Sequence, residues 1–371
     1  MTPFQRIAQA YRAIAVYFLN TVLIGSLIFG GYFLIRHFRK SDDPVDPIAK
    51  YGFTELQGGY PGHSTNEIAT LIKEAWERPL TYEAYTHFTE LPCQGRFVNV
   101  SEAGFRLAEN QGPWPIDRQN INVFVFGGST TFGYGVTDAE TIPSALQRKL
   151  RPLSSRRICV YNFGRGFYYS TQERILFSNL LAAGVIPDLA VFIDGLNDFY
   201  RVQDEPQYSG SLMVLVNQTF RERKGIEVTR TTDLVRKRTN GVSGKNEETA
   251  RRICERYLRN KAVIEAMARV GGTKTVFVWQ PIPTYKFDLK FHPFAKAASF
   301  AEHFFPAVGY RNMAEFRQTN APLSNFLWLA DMQENAREQL YVDAVHYTAR
   351  MCEQIAEQIA AFVSERSFIA P

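Results

Sequence analysis

A serine in the first half of the chain and a histidine near its end are the residues whose types favour covalent chemistry. Ser129 follows two glycines, and His346 comes three residues after Asp343. A serine hydroxyl is a weak nucleophile until a neighbouring base takes its proton, and a carboxylate that orients the imidazole and stabilises its cation completes such a unit. We therefore interpret Ser129 as the candidate nucleophile, His346 as the candidate base and Asp343 as its partner.

Attack on an ester carbonyl also needs fixed donors for the oxyanion that develops. The candidate donors are the backbone N–H of Ser129, one N–H of the turn at Gly166 and Phe167, and the side-chain amide of Asn197. Each signal is weak alone, because glycine-rich turns are common and Gly-Gly-Ser by itself favours a plain strand-to-helix turn. A lone histidine is also more often structural. The joint occurrence of these residues supports the hypothesis.

Alternating apolar runs and helical periodicities indicate which elements position these residues. Each candidate follows an apolar run or opens the last helix, and open α/β sheets place their ligands at the carboxyl ends of strands. The alternation predicts a parallel sheet with helices on both faces. The apolar runs are Ile121–Phe126, Ile158–Tyr161, Leu189–Ile193 and Thr275–Trp279, and the helical segments include Thr171–Ala183, Glu247–Val270 and Ala349–Glu365.

Four blocks of the sequence resemble those of the SGNH (GDSL-like) hydrolases in order and spacing, across roughly residues 119 to 366. The resemblance implies a flavodoxin-like three-layer α/β/α fold with a central parallel sheet. It also implies ester hydrolysis through an acyl-serine intermediate, with no metal and no other cofactor. The blocks are Gly127–Ser129, Asn162–Phe167, Gly195–Asp198 and Asp343–His346.

Two positions depart from the pattern of that family. Gly128 replaces the aspartate of Gly-Asp-Ser, at a position that is not catalytic. Counted from Asn162, the oxyanion glycine of the family falls at Phe167, whereas Gly166 lies one residue earlier. The choice between these two donors stays open. A backbone donor tolerates a side chain when φ is negative, so phenylalanine at this position does not exclude activity.

The amino-terminal residues predict a membrane anchor. Ala13 to Ile35 are 23 consecutive uncharged, mostly apolar positions, which at 1.5 Å per residue cross a hydrocarbon core of about 30 Å. A cleaved signal peptide is the main alternative, but the run ends in the basic stretch Arg36–Lys40, which does not resemble a cleavage site. We expect an uncleaved single-pass helix. The basic residues flank it evenly and leave its orientation open, while the family resemblance suggests a bacterial inner membrane with the domain on the extracytoplasmic side.

Three regions are predicted: an anchor segment at 1–40, a linker and irregular lead-in at 41–118, and a hydrolase domain at 119–366. Residues 201–260 do not fit the alternation and are interpreted as an insertion. A solvated basic surface is the expected role, and a lid that attracts anionic substrate or lipid headgroups is the alternative. The basic residues concerned are Arg221, Arg223, Lys224, Arg236, Lys237 and Arg238.

Composition excludes several other classes of protein. A 371-residue chain with 45% hydrophobic residues can form a large core, and a net charge of +5 gives no case for nucleic-acid binding. HExxH, P-loop and Gly-x-Ser-x-Gly patterns are absent from the sequence. The four cysteines are widely spaced without a CxxC pair, which makes a metal cluster unexpected and leaves disulfides open. They are Cys93, Cys159, Cys254 and Cys352.

The sequence therefore favours a membrane-tethered serine esterase acting on an acylated glycan, glycolipid or lipid. An O-acetyltransferase that uses a sugar hydroxyl as acceptor would need the same three residues and is one alternative. A non-catalytic glycan-binding or scaffold protein is the other, and the joint presence of Ser129, Asp343, His346 and Asn197 argues against it. The sequence indicates no substrate-binding residue, acyl group or acceptor.

Overall fold

The computed structural model describes residues 3–38, 47–224 and 244–369. They belong to two compact units, Met1–Asp46 and Pro47–Pro371. Helix α1 (Pro3–Phe38) makes up the described part of the first unit. Its stretch Tyr11–Gly31 is long and apolar enough to cross a membrane, a criterion that a signal sequence also meets. Residues 41–46 of the predicted linker and the basic residues 236–238 lie outside the described residues.

The second unit is built on a five-stranded parallel sheet. Its strands lie in the order β2-β1-β3-β4-β5, which is the flavodoxin-like doubly wound order. They are β1 (Ile121–Gly127), β2 (Ile158–Gly164), β3 (Leu189–Asp194), β4 (Lys274–Trp279) and β5 (Phe326–Trp328). The predicted α/β fold class is therefore confirmed.

Helices cover both faces of this sheet. On one face α6 and α11 pack against inward side chains such as Val123 and Val125, and on the other α7 and α9 pack against Phe124 and Phe126. All seven residues of β1 are buried, because successive side chains of a strand point to opposite faces and both faces are covered. The helices of this unit are α2 (Pro47–Tyr51), α3 (Phe53–Gln57), α4 (Thr65–Trp76), α5 (Ser129–Phe132), α6 (Ile142–Leu150), α7 (Ser170–Ala182), α8 (Ser209–Lys224), α9 (Glu247–Gly271), α10 (Phe305–Thr319) and α11 (Ala349–Glu365).

Side-chain caps stabilise the first turns of α6, which comes after the candidate serine and α5, and of α11, which comes after the candidate histidine. The Thr141 hydroxyl accepts a hydrogen bond from Ser144 N at the start of α6, with a proline in the first turn. The Thr348 hydroxyl accepts one from Met351 N at the start of α11. Each cap satisfies one of the N–H groups that lack an acceptor within the helix.

The lead-in is more regular than predicted. Residues 47–118 contain α2, α3, α4 and two antiparallel strand pairs, Leu80–Glu83 with His87–Glu90 and Cys93–Gln94 with Asn99–Val100. These strands have two to four residues, so they leave little period-two signal. Strand β5 was also missed, because its three half-buried residues do not form a long apolar run. Helices α8 and α10 were not predicted either.

All four cysteines are free thiols, and three of them are buried. Cys159 lies within β2 as a small core residue, as expected from the sequence. Among the described residues there is no group of three or more His, Cys, Asp or Glu side chains that could hold a metal ion.

Two carboxyl groups are buried together where α7 packs on β3. Glu173 belongs to α7, and Asp194 is the last residue of β3. Burial and the charges of Asp194 and Asp198 raise the pKa of Glu173, and burial and the charge of Asp198 raise the pKa of Asp194. Folding therefore favours the protonated form of these groups.

Replacing Glu173 by glutamine, which is uncharged like the protonated acid, should remove a pH-dependent penalty in the free energy of folding. A carboxyl group whose pKa rises on folding stabilises the fold fully below its unfolded pKa of about 4, and this contribution is lost as the pH rises through the folded pKa. The melting temperature of Glu173→Gln minus that of the wild type should therefore increase from pH 5 to pH 8. The exposed Glu357→Gln is the control, with a difference that stays constant. A constant difference for Glu173→Gln would show that this carboxyl group ionises normally.

Candidate active site

Ser129 lies where β1 ends and helix α5 begins. Strand β1 lies between β2 and β3, where the chain order reverses, so its carboxyl end lies at the crevice where doubly wound sheets bind ligands. As the first residue of a helix, Ser129 has a backbone N–H without an acceptor inside that helix. The serine thus offers both a hydroxyl and a backbone donor at this edge.

A hydrogen-bonded chain links Ser129 to the loop before α11. His346 Nε2 lies 2.8 Å from Ser129 Oγ, and His346 Nδ1 lies 2.6 Å from Asp343 Oδ2. The loop is tight, because Val342 N donates to His346 O and Tyr341 pairs with Tyr347. The structure therefore brings together the three residues that the sequence proposed as a unit.

Asp343 is held in its charged form. Burial opposes its ionisation, but the charge of His346 and hydrogen bonds from His346 Nδ1 and from the backbone N–H groups of Val345 and His346 lower its pKa to about 2. An ionised Asp343 accepts from Nδ1–H, a tautomer assigned from this network. That leaves Nε2 to accept the proton of the Ser129 hydroxyl.

The oxyanion turn, defined here as Gly164–Phe167, offers one of the two donors that the sequence left open. Gly166 N donates to Glu90 Oε1 at 3.1 Å, in a buried hydrogen bond. Phe167 N makes no hydrogen bond to any residue within 47–224 or 244–369. Because Gly166 N–H is already engaged, Phe167 is the donor that the turn leaves available.

Phe167 does not meet the condition of a negative φ under which a side chain is easily tolerated. Its φ is +62°, in the left-handed region that favours glycine. The family pattern places glycine at this position, and the backbone keeps a glycine-like conformation although this chain has phenylalanine. Such a conformation costs a non-glycine residue roughly 1–2 kcal/mol, so the surrounding contacts must hold the turn in place.

Asn197 follows β3 and lies against the Gly127–Ser129 block. Its Nδ2 donates to Tyr168 O at 2.7 Å, which orients the amide and leaves the second N–H of that group. A Cβ on Gly128 would overlap Asn197 Nδ2 and would lie 3.0 Å from Tyr168 O. The φ of Gly128 is −81°, so glycine is required here for space rather than for backbone conformation.

Arg106 supports the backbone that follows the serine, and sequence reasoning missed it. The guanidinium is fully buried and donates to the carbonyl groups of Phe132, Gly133 and Val136 at 2.7–3.0 Å and to that of Phe97 at 3.3 Å. It also pairs with Asp138 at 2.7 Å. An isolated arginine in the lead-in gives no local signal of this role, because its partners around the serine helix are about 30 residues away along the chain.

Gln280, also missed, connects the serine and histidine elements behind the site. Its Oε1 accepts from Thr130 Oγ1 at 2.8 Å and from the Tyr347 hydroxyl at 3.2 Å. Thr130 and Tyr347 are the neighbours in sequence of the candidate nucleophile and base. A glutamine after an apolar strand reads simply as the start of a loop.

Two aromatic rings border the imidazole. Tyr134 stacks on His346 with ring centroids 5.3 Å apart and an interplanar angle of 21°, and Trp76 meets the same ring edge-on at 5.7 Å. Trp76 ends α4 of the lead-in. The lead-in thus contributes to the wall of the site as well as to its support.

Gly128→Ala tests whether Asn197 belongs to the site. The added methyl group should displace the Asn197 amide, and ester hydrolysis should fall about 10²-fold, as when one oxyanion donor is removed. The rate on p-nitrophenyl acetate measures this. Gly210→Ala is the matched control, since a Cβ there meets no atom within 4 Å. A Gly128→Ala enzyme as fast as the wild type would remove Asn197 from the list of donors.

No protein-family model matches the chain, and no curated protein matches it. Among solved structures the chain is similar to the lipase Lip_vut3 from a goat rumen metagenome, with 13% identity over 66% of this chain and 97% of that one and a TM-score of 0.40. A member of the lipolytic G-D-S-L family from Veillonella parvula has 10% identity over 66% and 96%, and a TM-score of 0.36. The lipase/acylhydrolase from Enterococcus faecalis has 15% identity over 66% and 96%, and a TM-score of 0.35.

The strand order by itself identifies the fold as flavodoxin-like, independently of the similarity to these solved structures. In that fold, and in the order of its four sequence blocks along the sheet edge, the chain resembles the SGNH (GDSL-like) hydrolases.

Proposed function

We propose that this protein is a serine esterase that works through an acyl-serine intermediate. The observation that carries the proposal is the unbroken hydrogen-bonded chain from Ser129 Oγ through the imidazole of His346 to Asp343, with distances of 2.8 and 2.6 Å. A base in contact with the hydroxyl and a carboxylate in contact with the base are what activation of a serine requires.

In the proposed reaction, His346 Nε2 takes the proton of Ser129 as Oγ attacks the ester carbonyl. Asp343 stabilises the imidazolium that forms. The oxyanion accepts hydrogen bonds from Ser129 N–H, Phe167 N–H and Asn197 Nδ2, which are placed before the reaction and therefore need no reorganisation. The imidazolium then protonates the leaving alcohol, and a water molecule activated by the same base releases the acid.

The proposed substrate is an acylated glycan, glycolipid or lipid that carries a small acyl group such as acetyl. The apolar stretch of α1 supports a substrate near a membrane. We place the protein in a bacterial inner membrane with the catalytic domain on the extracytoplasmic side. The acyl acceptor is water in an esterase and a sugar hydroxyl in the transferase alternative, so assays with and without a glycan acceptor separate the two.

Ser129→Ala should abolish ester hydrolysis, because among the described residues only the Ser129 hydroxyl lies within hydrogen-bonding distance of His346 Nε2. We expect the rate on p-nitrophenyl acetate to fall by at least about 10³-fold. A fluorophosphonate probe should label the wild type but not this variant. Ser155→Ala, at an exposed serine, should behave as the wild type. An unchanged rate in Ser129→Ala would remove this serine as the nucleophile.

The membrane anchor predicts that the intact chain stays with membranes after extraction with alkaline carbonate. A helical stretch of 21 mostly apolar residues is long enough to span the hydrocarbon core. The intact mass of the extracted protein should include α1. Recovery of a soluble form whose mass lacks the first 30 or so residues would instead identify a cleaved signal peptide.

A further inference from the structure

The carboxylate that holds the oxyanion turn belongs to a buried ion pair in the lead-in. Glu90 Oε1 accepts from Gly166 N at 3.1 Å, and Glu90 Oε2 lies 3.1 Å from Arg78 Nη2. The two side chains are only 1% and 6% exposed. One carboxylate therefore joins the turn to a cation, and each of its oxygens has a separate partner.

Arg78 is itself fixed at the end of α4. Its Nη1 donates to the carbonyl groups of Glu74 and Ala75 at 2.8 and 2.6 Å. Carbonyl groups in the last turn of a helix lack intrahelical partners, so a cation there is stabilised by them. The ion pair is thus connected to a regular element and does not depend on flexible side chains.

The same arginine touches the aromatic wall of the site. Its guanidinium lies 4.2 Å from the ring centroid of Phe132, in the helix that Ser129 begins, and 5.2 Å from that of Tyr134. The Tyr134 ring stacks on His346, and its hydroxyl lies 2.6 Å from the position that a Cβ on Gly166 would take. Tyr134 therefore fills the space between the imidazole and the oxyanion turn.

These contacts assign complementary tasks to the two charges. Glu90 accepts from the N–H of Gly166 and so restrains the Arg165–Gly166 peptide, which is followed directly by the peptide that carries the N–H of Phe167, the donor left in the turn. An unpaired carboxylate next to the oxyanion turn would oppose a developing negative charge. Arg78 balances that charge and supports the ring that packs on His346.

We infer that Glu90 and Arg78 are positioning residues that set the oxyanion turn from the lead-in. The inference rests on the proposed esterase function. Neither side chain touches the reacting atoms, so their effect is on transition-state stabilisation, and binding of the ester in the ground state is unaffected.

The test compares Glu90→Ala and Glu90→Gln with Glu67→Gln, a control that removes a partly exposed lead-in carboxylate paired with Arg96. Glu90→Ala leaves Gly166 N–H without an acceptor, and its kcat on p-nitrophenyl acetate should fall about 30- to 100-fold while KM changes less than about threefold. Glu90→Gln keeps one acceptor for two donors, so its kcat should lie between those of Glu90→Ala and the wild type. The control should match the wild type.

A second measurement separates this inference from the proposed function. Amide hydrogen exchange of the peptide that contains Gly166 and Phe167 should be at least about tenfold faster in Glu90→Ala, with or without measurable turnover. Wild-type exchange and kcat in a folded Glu90→Ala, or in Glu90→Gln if the alanine variant does not fold, would overturn the inference. A wild type that neither hydrolyses the ester nor reacts with a fluorophosphonate would overturn the esterase proposal, and the exchange rates would then decide alone whether Glu90 holds the turn.

Discussion

The structure depends on a 2.8 Å contact between His346 Nε2 and Ser129 Oγ, two atoms whose residues are 217 positions apart. A small displacement of either atom would weaken this contact, because a hydrogen bond weakens steeply with distance and angle. The fold positions the two atoms because β1 ends just before the serine and α11 begins just after the histidine. Both elements pack into one buried cluster on the same face of the sheet, so the core fixes the two ends of the contact.

Polar contacts from the lead-in complete what the core begins. The oxyanion turn has a phenylalanine at φ +62°, a conformation that its own sequence does not favour. Glu90 and Arg106 lie outside the hydrolase-like region predicted from the sequence, yet they hold the turn and the backbone after Ser129. A buried charge left without a partner is strongly destabilising. These contacts therefore link the integrity of the lead-in to that of the site.

The fold could be predicted from the sequence because its signals are local. The runs that became β1 to β4 are apolar on both faces, and the three helical segments named from the sequence agree with α7, α9 and α11 to within one residue at each end. The positions of Ser129, Asp343 and His346 at the sheet edge followed from the same pattern. Strand β5 was missed, because three half-buried residues give no periodic signal.

The support of the site could not be predicted, because it depends on contacts between distant segments. Nothing near Glu90 or Gly166 in the sequence indicates that they meet, and the distance along the chain is 76 residues. The positive φ of Phe167 could not be predicted either, because it is imposed by tertiary contacts and not by the preference of the residue. Conformational propensity is a property of a single residue, whereas these contacts form between residues that are distant in the sequence.

A crystal structure of the protein after reaction with a serine-directed phosphonate would show whether Ser129 is the nucleophile and which groups surround the oxyanion. We expect a phosphorus atom bonded to Ser129 Oγ, with its negatively charged oxygen within hydrogen-bonding distance of Ser129 N, Phe167 N and Asn197 Nδ2 and with the imidazole of His346 still paired to Asp343. A label on another residue, or an adduct on Ser129 whose oxygen faces none of these donors, would contradict this expectation.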